Sequence, residues 1–248
     1  MTKTNDGTNI FAETRKTFGM ASGKHMKGDI LHPTKDAKGA LLALKTMVEA
    51  AKTKAKAKKV VMWDFPASPH AQFGKSLDDC YMCFLAWARI SDEEDEEERE
   101  AGSTGGSGEI NVSKAFRRLE SYAEWMQENA VELTEPPLVW DASMEAAKDV
   151  WAMSTSIATN GQLIWWLDLD KIDLAGAKTT PVEVTFRMFV WYSHAVMYNP
   201  NSQEHGMCFC EAMGKLSFWT MMTMVPMKLS AKLDRLTIGT LPVKMSAP

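Results

Sequence analysis

This sequence lacks long hydrophobic runs and excess positive charge, and it has few cysteines. No stretch approaches the roughly 18 uninterrupted apolar residues of a membrane span, and the start MTKTNDGTNIFAETRK has no apolar core of a secretion signal. Lys and Arg number 28 against 32 Asp and Glu, a formal net charge of -4 without the basic excess of nucleic-acid-binding proteins. The 4 cysteines in 248 residues indicate reduced thiols. We therefore expect a soluble, cytoplasmic protein with no nucleic-acid partner.

Motifs for catalysis and metal binding are also missing. There is no G-x-S-x-G elbow and no H-E-x-x-H pair, so His194 has no recognisable catalytic partner in the sequence. Cys80-x2-Cys83 with Cys208-x-Cys210 could supply four thiolates to zinc, but the first pair lies in a helical stripe, where cysteine is commonly a small buried hydrophobe. We expect a protein that is not an enzyme and that carries no metal or cofactor.

The first 60 residues predict an N-terminal arm followed by one amphipathic helix. Residues 1–34 show little periodicity, whereas 36–58 place alanines, Leu44 and Val48 on one side and lysines on the other. The lysine side, including Lys52, Lys56 and the adjacent Lys59, has two interpretations that the sequence leaves open. It is either a solvated face or a surface attracted to anionic lipid headgroups, which would make the protein a peripheral membrane protein.

Residues 61–130 predict a helical subdomain. Ser76 and Asp79 form a capping box, so a helix is expected to begin at Leu77. The acidic and Gly/Ser-rich segment 91–109 cannot bury apolar surface and is expected to be a mobile insertion. A second helix is expected near Ser113, and the two can pack as a hairpin.

Residues 131–248 predict an α/β arrangement. A helix capped by Asp141 is expected to run to about Ser156, followed by the strand GQLIWWLDLD, whose continuous apolar character suggests a parallel strand covered on both faces. A strong helix start at Thr180, Pro181 and Glu183 leads into a helix that must be covered nearly all round. Strands are expected again at GMCFCEA and LTIG, which implies a mainly parallel sheet covered by helices.

The C-terminal half is rich in flexible and aromatic apolar side chains. The chain has 18 Met, 9 Trp and 10 Phe, a composition that suits a cavity for an acyl chain or isoprenoid because the methionine side chain adapts to irregular apolar partners. The same composition suits an ordinary core, and periodicity alone favours the core, because a Met or aromatic stripe at helical spacing usually belongs to one.

The order of these segments resembles the CRAL-TRIO family of lipid-binding and phosphatidylinositol transfer proteins. YMCFLAWARIS and INVSKAFRRLESYAEWM resemble the two helices of its N-terminal part. GQLIWWLDLDKID resembles its first strand, and GMCFCEAMGKLSF resembles its next strand, with Glu211 at the family's aspartate and Gly214 at its glycine. LTIGTLP, ending in Pro242, resembles the third strand, so the resemblance extends from about Phe73 to Pro242.

The resemblance implies a parallel α/β lipid pocket behind a helical N-terminal subdomain, with a phospholipid, sterol-like or isoprenoid ligand and no catalysis. We expect alternating strand positions and one helix stripe to build the pocket from six residues: Leu163, Trp165, Phe186, Val190, Phe209 and Ile238.

The end of the sequence adds an alternative to lipid binding or transfer. In the family, the third strand is followed by a helix that gates the pocket and by a closing strand, whereas this sequence ends at Pro248, so we expect an incomplete domain. An open apolar mouth would favour a protein partner that covers it. The alternative function is therefore a non-catalytic protein-interaction or membrane-adaptor module.

Overall fold

The computed structural model of the chain describes residues 35–57, 70, 72–89, 110–212, 220 and 226–245. The expected N-terminal arm, the acidic insertion 91–109 and most of the methionine-rich segment after GMCFCEA lie outside these residues.

Among the described residues, five helices precede the sheet: α1 (Lys35–Ala57), α2 (Leu77–Trp87), α3 (Val112–Glu128), α4 (Ala130–Thr134) and α5 (Ala142–Val150). The remaining elements are β1 (Met153–Ile157), β2 (Leu163–Asp168), α6 (Leu174–Thr179), α7 (Val182–Met197), α8 (Pro200–His205), β3 (Met207–Ala212), α9 (Met227–Asp234) and a π-helical segment (Arg235–Thr240). The fold is mixed α/β and mostly helical.

The first helices follow the expectation from the sequence. The capping box at the start of α2 is formed, because the Ser76 hydroxyl accepts from the Asp79 amide at 3.2 Å while the Asp79 carboxylate accepts from the Ser76 amide at 2.7 Å. Helices α1, α2 and α3 pack against one another, and Leu44 and Val48 on the apolar side of α1 are buried. The charged side of α1 also reaches α2, since the Lys45 ammonium lies 2.7 Å from the Asp78 carboxylate.

The sheet has three strands in the order β1-β2-β3 and is mixed. The expected parallel pair exists, because β2 lies parallel to β3 with Trp165 opposite Phe209. The expectation of a mainly parallel sheet is wrong, because β1 lies antiparallel to β2. A short turn joins β1 to β2, where Gly161 takes a φ of +87°, a left-handed conformation that a residue with a Cβ atom rarely adopts.

Strand β1 occupies residues that were expected to continue a helix. Helix α5 ends at Val150 instead of Ser156, and Ala152 has a φ of 47°, which takes the chain out of helical geometry before the strand begins at Met153. The polar sequence MSTSI forms an edge strand whose residues other than Met153 are at least partly exposed. An edge strand of this composition lacks the apolar alternation by which strands are recognised.

The two faces of β2 differ in burial, so the expectation that both faces are fully covered is wrong. Leu163, Trp165 and Leu167 are buried on one face, whereas Ile164, Trp166 and Asp168 are partly exposed on the other. The Trp166 indole donates to the Ser156 hydroxyl of β1 at 2.8 Å on this outer face. The buried face packs against α7 and forms part of the core.

Helix α7 is the central element of the core, as its two apolar stripes predict. Every residue from Thr185 to Asn199 is buried except Phe189.

Two polar side chains near α7 bind backbone carbonyls. Thr180 does not cap this helix, because its hydroxyl donates to the Gly176 carbonyl of α6. The Arg187 guanidinium of α7 donates to the backbone carbonyls of Glu132, Pro136 and Pro137 at 2.6–2.8 Å. Arg187 therefore holds the turn after α4 against α7.

The expected third strand at LTIG is wrong, because Arg235–Thr240 is π-helical. Tertiary contacts explain the difference. Leu236 is fully buried, and the Arg118 guanidinium of α3 donates to the carbonyls of Ile238 at 2.6 Å and Leu241 at 2.9 Å. A strand-like contact occurs later in the chain, where Met245 forms a parallel bridge with Met207 of β3.

Candidate functional site

A cavity of about 450 Å³ lies between the buried face of the sheet, helix α7 and the C-terminal helical segments. Its walls are largely apolar, and it falls in the range of roughly 300–1,000 Å³ that is typical of small-molecule sites. We call this space the apolar cavity. It is the candidate functional site of the described residues.

The sheet supplies the first wall of the apolar cavity. The parallel register places Trp165 beside Phe209 and Leu167 beside Glu211, and all four residues line the cavity together with Met207. The rings of Trp165 and Phe209 meet edge to face with their centroids 5.5 Å apart. Phe209 keeps 37% of its surface exposed, so this aromatic pair extends from the core to the surface.

Helix α7 supplies the second wall through Thr185 and Phe189, which lie one turn apart on the same face. The Phe189 ring lies 6.1 Å from the Trp165 ring and 6.0 Å from the Trp151 ring. The Trp151 indole donates to the Thr185 hydroxyl at 3.4 Å. Phe189 is thus a cavity-lining residue of α7 that is only partly buried, whereas the α7 residues on either side of it are buried.

The C-terminal segments supply the third wall and the apolar rim. The lining residues from α9 and the π-helical segment are Met227, Leu229, Ser230, Ala231, Leu233, Asp234, Thr237 and Ile238. Met227 is 73% exposed and Ile238 is 62% exposed, and Met245 at the end of the described chain is 41% exposed. Isolated exposed apolar side chains are common, but three beside one apolar cavity form a surface suited to an apolar ligand or partner.

The structure brings together three of the six residues expected to form the pocket. Trp165, Phe209 and Ile238 line the apolar cavity. Leu163, Phe186 and Val190 do not line it and are buried in the core. The Phe186 ring lies 6.0 Å from the Trp125 ring of α3, on a side of α7 that packs against other helices. Sequence periodicity placed Phe186 and Val190 on an apolar stripe without showing which part of the stripe met the cavity.

Strand alternation and helix spacing in the sequence indicate several further residues that line the cavity. On β2 and β3 the alternation of side chains puts Leu167 on the face of Trp165, and Met207 and Glu211 on the face of Phe209. Phe189 follows Thr185 by four residues, the spacing of neighbours on one helix face. Trp151 at the end of α5 and Met245 after the last helical segment gave no such signal, because neither lies on a strand or helix face that the sequence assigned to the pocket.

A second candidate site is a buried polar cluster between α2, α3 and α7. The Tyr122 hydroxyl lies 2.7 Å from His194 Nε2, and His194 Nδ1 lies 2.7 Å from the Val190 carbonyl. Because a carbonyl only accepts, Nδ1 carries the proton and Nε2 accepts from Tyr122 in a neutral imidazole. His70 lies beside it, with Nδ1 2.6 Å from the Tyr198 hydroxyl and the two imidazole centroids 6.0 Å apart.

Burial keeps this cluster uncharged. It lowers the pKa of His70 to about 3, with a further contribution from His194, and it lowers the pKa of His194 to about 4. Burial also raises the pKa of the Cys80 thiol to about 12 and that of Cys83 well above its usual value. These groups are neutral near pH 7 and closed to solvent, and their hydrogen bonds give them a structural role in joining α7 to the N-terminal helices.

The four cysteines lie in two separate pairs, one in α2 and one in β3. All four are free thiols, with Cys80 and Cys83 in the polar cluster and Cys208 and Cys210 on the outer face of β3, where their sulfurs lie 3.3 Å apart. Within the described ranges, no group of three or more His, Cys, Asp or Glu side chains is placed to hold a metal ion.

The lysines expected at a membrane surface are only partly described. The Lys52 ammonium lies 2.9 Å from the Glu49 carboxylate one turn away, which lowers the net positive charge at that position. The side chain of Lys56 and all of Lys59 lie outside the described residues, so the membrane-surface role stays a prediction. In the part of the chain that the structure covers, no helix is long and apolar enough to cross a bilayer.

Comparison of the sequence with protein-family models and with curated proteins finds no match.

Proposed function

We propose that this chain binds a hydrophobic lipid ligand in the apolar cavity. The observation that carries the proposal is a cavity of about 450 Å³ with an aromatic floor, in which Trp165 lies in the core, Phe189 packs against the core and Phe209 reaches the surface. Each buried methylene of a ligand contributes about 0.8 kcal/mol, so an acyl or isoprenoid chain of ordinary length would be held firmly by such walls.

The proposed role is binding, with or without transfer between membranes, and it does not include catalysis. Among the described residues that line the cavity, the only possible bases or nucleophiles are the carboxylates of Glu211 and Asp234 and the hydroxyls of Thr185, Ser230 and Thr237, and no histidine, lysine or cysteine lies with them. The hydroxyl of Thr185 accepts a hydrogen bond from Trp151, and the Thr237 hydroxyl donates to the Leu233 carbonyl. Those two hydroxyls are engaged in structural hydrogen bonds.

We also propose that the chain is a divergent relative of CRAL-TRIO domains. The parallel pair of β2 and β3 behind a set of N-terminal helices supports this relationship, as does the position of the apolar cavity against those strands. The antiparallel β1 and the π-helical Arg235–Thr240 depart from the expected pattern. The lipid-binding proposal depends on the cavity itself and does not require the relationship.

Fluorescence titration with N-phenyl-1-naphthylamine, an uncharged probe that brightens in apolar sites, tests the proposal. The wild-type chain is expected to bind one probe molecule, and a natural lipid extract is expected to displace it. Phe209→Asp should weaken probe binding by about tenfold or more, because it places a carboxylate in the apolar wall.

The matched control is Ile157→Asp on β1. Ile157 is 47% exposed and does not line the cavity, so this variant makes the same chemical change on another strand of the same sheet. It should bind the probe like the wild type. A folded wild-type chain that binds no probe, or equal losses in the two variants, would contradict a ligand site at the cavity.

A second function, a protein-interaction module, is favoured by the exposed rim. Met227 and Ile238 are 73% and 62% exposed beside the cavity, and large apolar side chains clustered at a surface often mark interfaces. Size-exclusion chromatography with light scattering distinguishes the two functions. Concentration-dependent association that is abolished by Met227→Lys with Ile238→Lys would favour the module, whereas a monomer that retains lipid would favour the carrier.

A further inference from the structure

The charged residues that line the apolar cavity are all acidic. Among the described lining residues, Glu211 of β3 and Asp234 of α9 are the only ones that carry a charge. The other polar contributions are the hydroxyls of Thr185, Ser230 and Thr237, and the Ser230 hydroxyl lies 3.5 Å from the Asp234 carboxylate. Among the described lining side chains, the polar groups that a ligand would meet are therefore hydroxyls and carboxylates.

Two basic residues close to Asp234 in sequence are engaged elsewhere. Lys232 of α9 pairs with Glu132 of α4 at 2.9 Å and lies over the Phe186 ring, on the side of the helix away from the cavity. Arg235 pairs with Glu128 of α3 at 2.5 Å. Across the described ranges, neither Glu211 nor Asp234 forms an ion pair.

The size of the cavity limits the apolar part of the ligand. A volume of about 450 Å³ lies in the lower half of the roughly 300–1,000 Å³ range of small-molecule sites, which suits one hydrocarbon chain or one isoprenoid better than the two chains of a phospholipid. The apolar rim formed by Met227, Ile238 and Met245 can cover the part of the chain nearest the surface.

We propose that the cavity selects single-chain amphiphiles with an uncharged or cationic head group and discriminates against anionic ones such as fatty acids. The inference rests on the proposed lipid-binding function and adds the charge of the ligand. Like charges a few ångströms apart near a protein surface repel by enough to change an affinity about fivefold for each pair, so two carboxylates should weaken an anionic ligand about tenfold or more.

The test compares ligands that share one hydrocarbon chain and differ in head-group charge. Dodecanol, dodecyltrimethylammonium and dodecanoate are titrated, below their aggregation concentrations, against the wild-type chain with N-phenyl-1-naphthylamine bound, at pH 7 and low salt. We expect dodecanol and dodecyltrimethylammonium to displace the probe, with dodecanoate at least about tenfold weaker than dodecanol. Added salt should reduce the difference, because it screens the interaction between exposed charges.

Variants that remove charge test whether the carboxylates of Glu211 and Asp234 cause the head-group preference. Glu211→Gln with Asp234→Asn should bring the dissociation constant of dodecanoate closer to that of dodecanol. The control, Glu124→Gln with Glu183→Gln, removes the same total charge from exposed positions outside the cavity and should keep the wild-type ratio. A ratio that changes equally in both double variants would overturn the proposal, because net charge alone would then explain the preference.

The outcomes separate this inference from the function on which it rests. If dodecanoate displaces the probe as well as dodecanol does, the cavity binds lipid without the proposed charge selection and the inference is overturned. If the probe binds but none of the three ligands displaces it, single-chain amphiphiles are the wrong class and the inference is again overturned. If the folded chain does not bind the probe at all, the lipid-binding function fails and the inference fails with it.

Discussion

Trp165 of β2 and Phe209 of β3 face each other across a parallel strand pair, with their rings edge to face and their centroids 5.5 Å apart. Trp165 is only 2% exposed and belongs to the core, whereas Phe209 is 37% exposed and belongs to the surface. The apolar cavity lies along this gradient from core to surface. An apolar ligand could therefore enter beside Phe209 and reach Trp165 without moving a strand.

The different positions of two phenylalanines on α7 lead to the first prediction. Phe186→Ala should lower the free energy of unfolding by about 3–5 kcal/mol, because the ring is buried against α3. Phe189→Ala should cost only about 1 kcal/mol in stability but should weaken N-phenyl-1-naphthylamine binding several-fold, because this partly exposed ring lines the cavity. Urea unfolding and probe titration measure the two effects. A large stability loss for Phe189→Ala with unchanged probe affinity would contradict the placement.

Arg187 provides the second prediction. Its guanidinium donates to three backbone carbonyls in and just after α4, so Arg187→Ala should destabilise the chain by about 2–4 kcal/mol. Arg187→Lys should recover only part of this loss, because an ammonium group lacks the fork geometry that reaches several acceptors. Urea unfolding measures both, with the exposed Arg117→Ala on α3 as the control that should be near neutral. An Arg187→Ala variant as stable as Arg117→Ala would show that these hydrogen bonds contribute little.

The buried histidines provide the third prediction, an acid sensitivity of the fold. Burial holds the pKa of His70 at about 3 and that of His194 at about 4, below the value of about 6.5 for an unfolded histidine. Between these values the unfolded chain binds more protons than the folded chain, so stability is full above about pH 6.5 and falls as the pH decreases. As the pH falls from 7 to 5, each buried histidine should lower the free energy of unfolding by about 2 kcal/mol.

Urea unfolding at a series of pH values measures this dependence. His194→Gln keeps a donor and an acceptor but cannot titrate, so its stability at pH 7 should fall while its loss between pH 7 and pH 5 becomes smaller than that of the wild type. The exposed His205→Gln is the matched control, because it replaces an imidazole outside the buried cluster. Parallel pH profiles for His194→Gln and the wild type would contradict a neutral, buried His194.

The sequence predicts correctly the elements whose capping residues and apolar patterns agree with the way they pack in the fold. The capping box of Ser76 and Asp79 is local chemistry, and the structure confirms it. The apolar stripes of α7 predicted a helix covered on nearly all sides, and this is also confirmed. The parallel pairing of β2 and β3 followed from their continuous apolar sequences with a helix between them.

The elements that could not be predicted depend on contacts distant in sequence. The β-branched residues of LTIG favour a strand, but hydrogen bonds from Arg118, more than a hundred residues earlier, stabilise these residues as a π-helical segment. The polar MSTSI has no strand pattern of its own and is fixed by pairing with β2. The candidate site shows the same limit, because the choice between Phe186 and Phe189 depends on which helix or strand covers each side of α7.

Native mass spectrometry of the purified chain, followed by organic extraction and lipid identification, tests the central claim most directly. The account predicts one bound lipid per chain in the wild type and in Ile157→Asp, loss of that lipid in Phe209→Asp, and an extracted single-chain lipid with an uncharged or cationic head group. A folded wild-type chain that carries no lipid, and that also fails to take up N-phenyl-1-naphthylamine, would contradict the claim that the apolar cavity is a lipid-binding site.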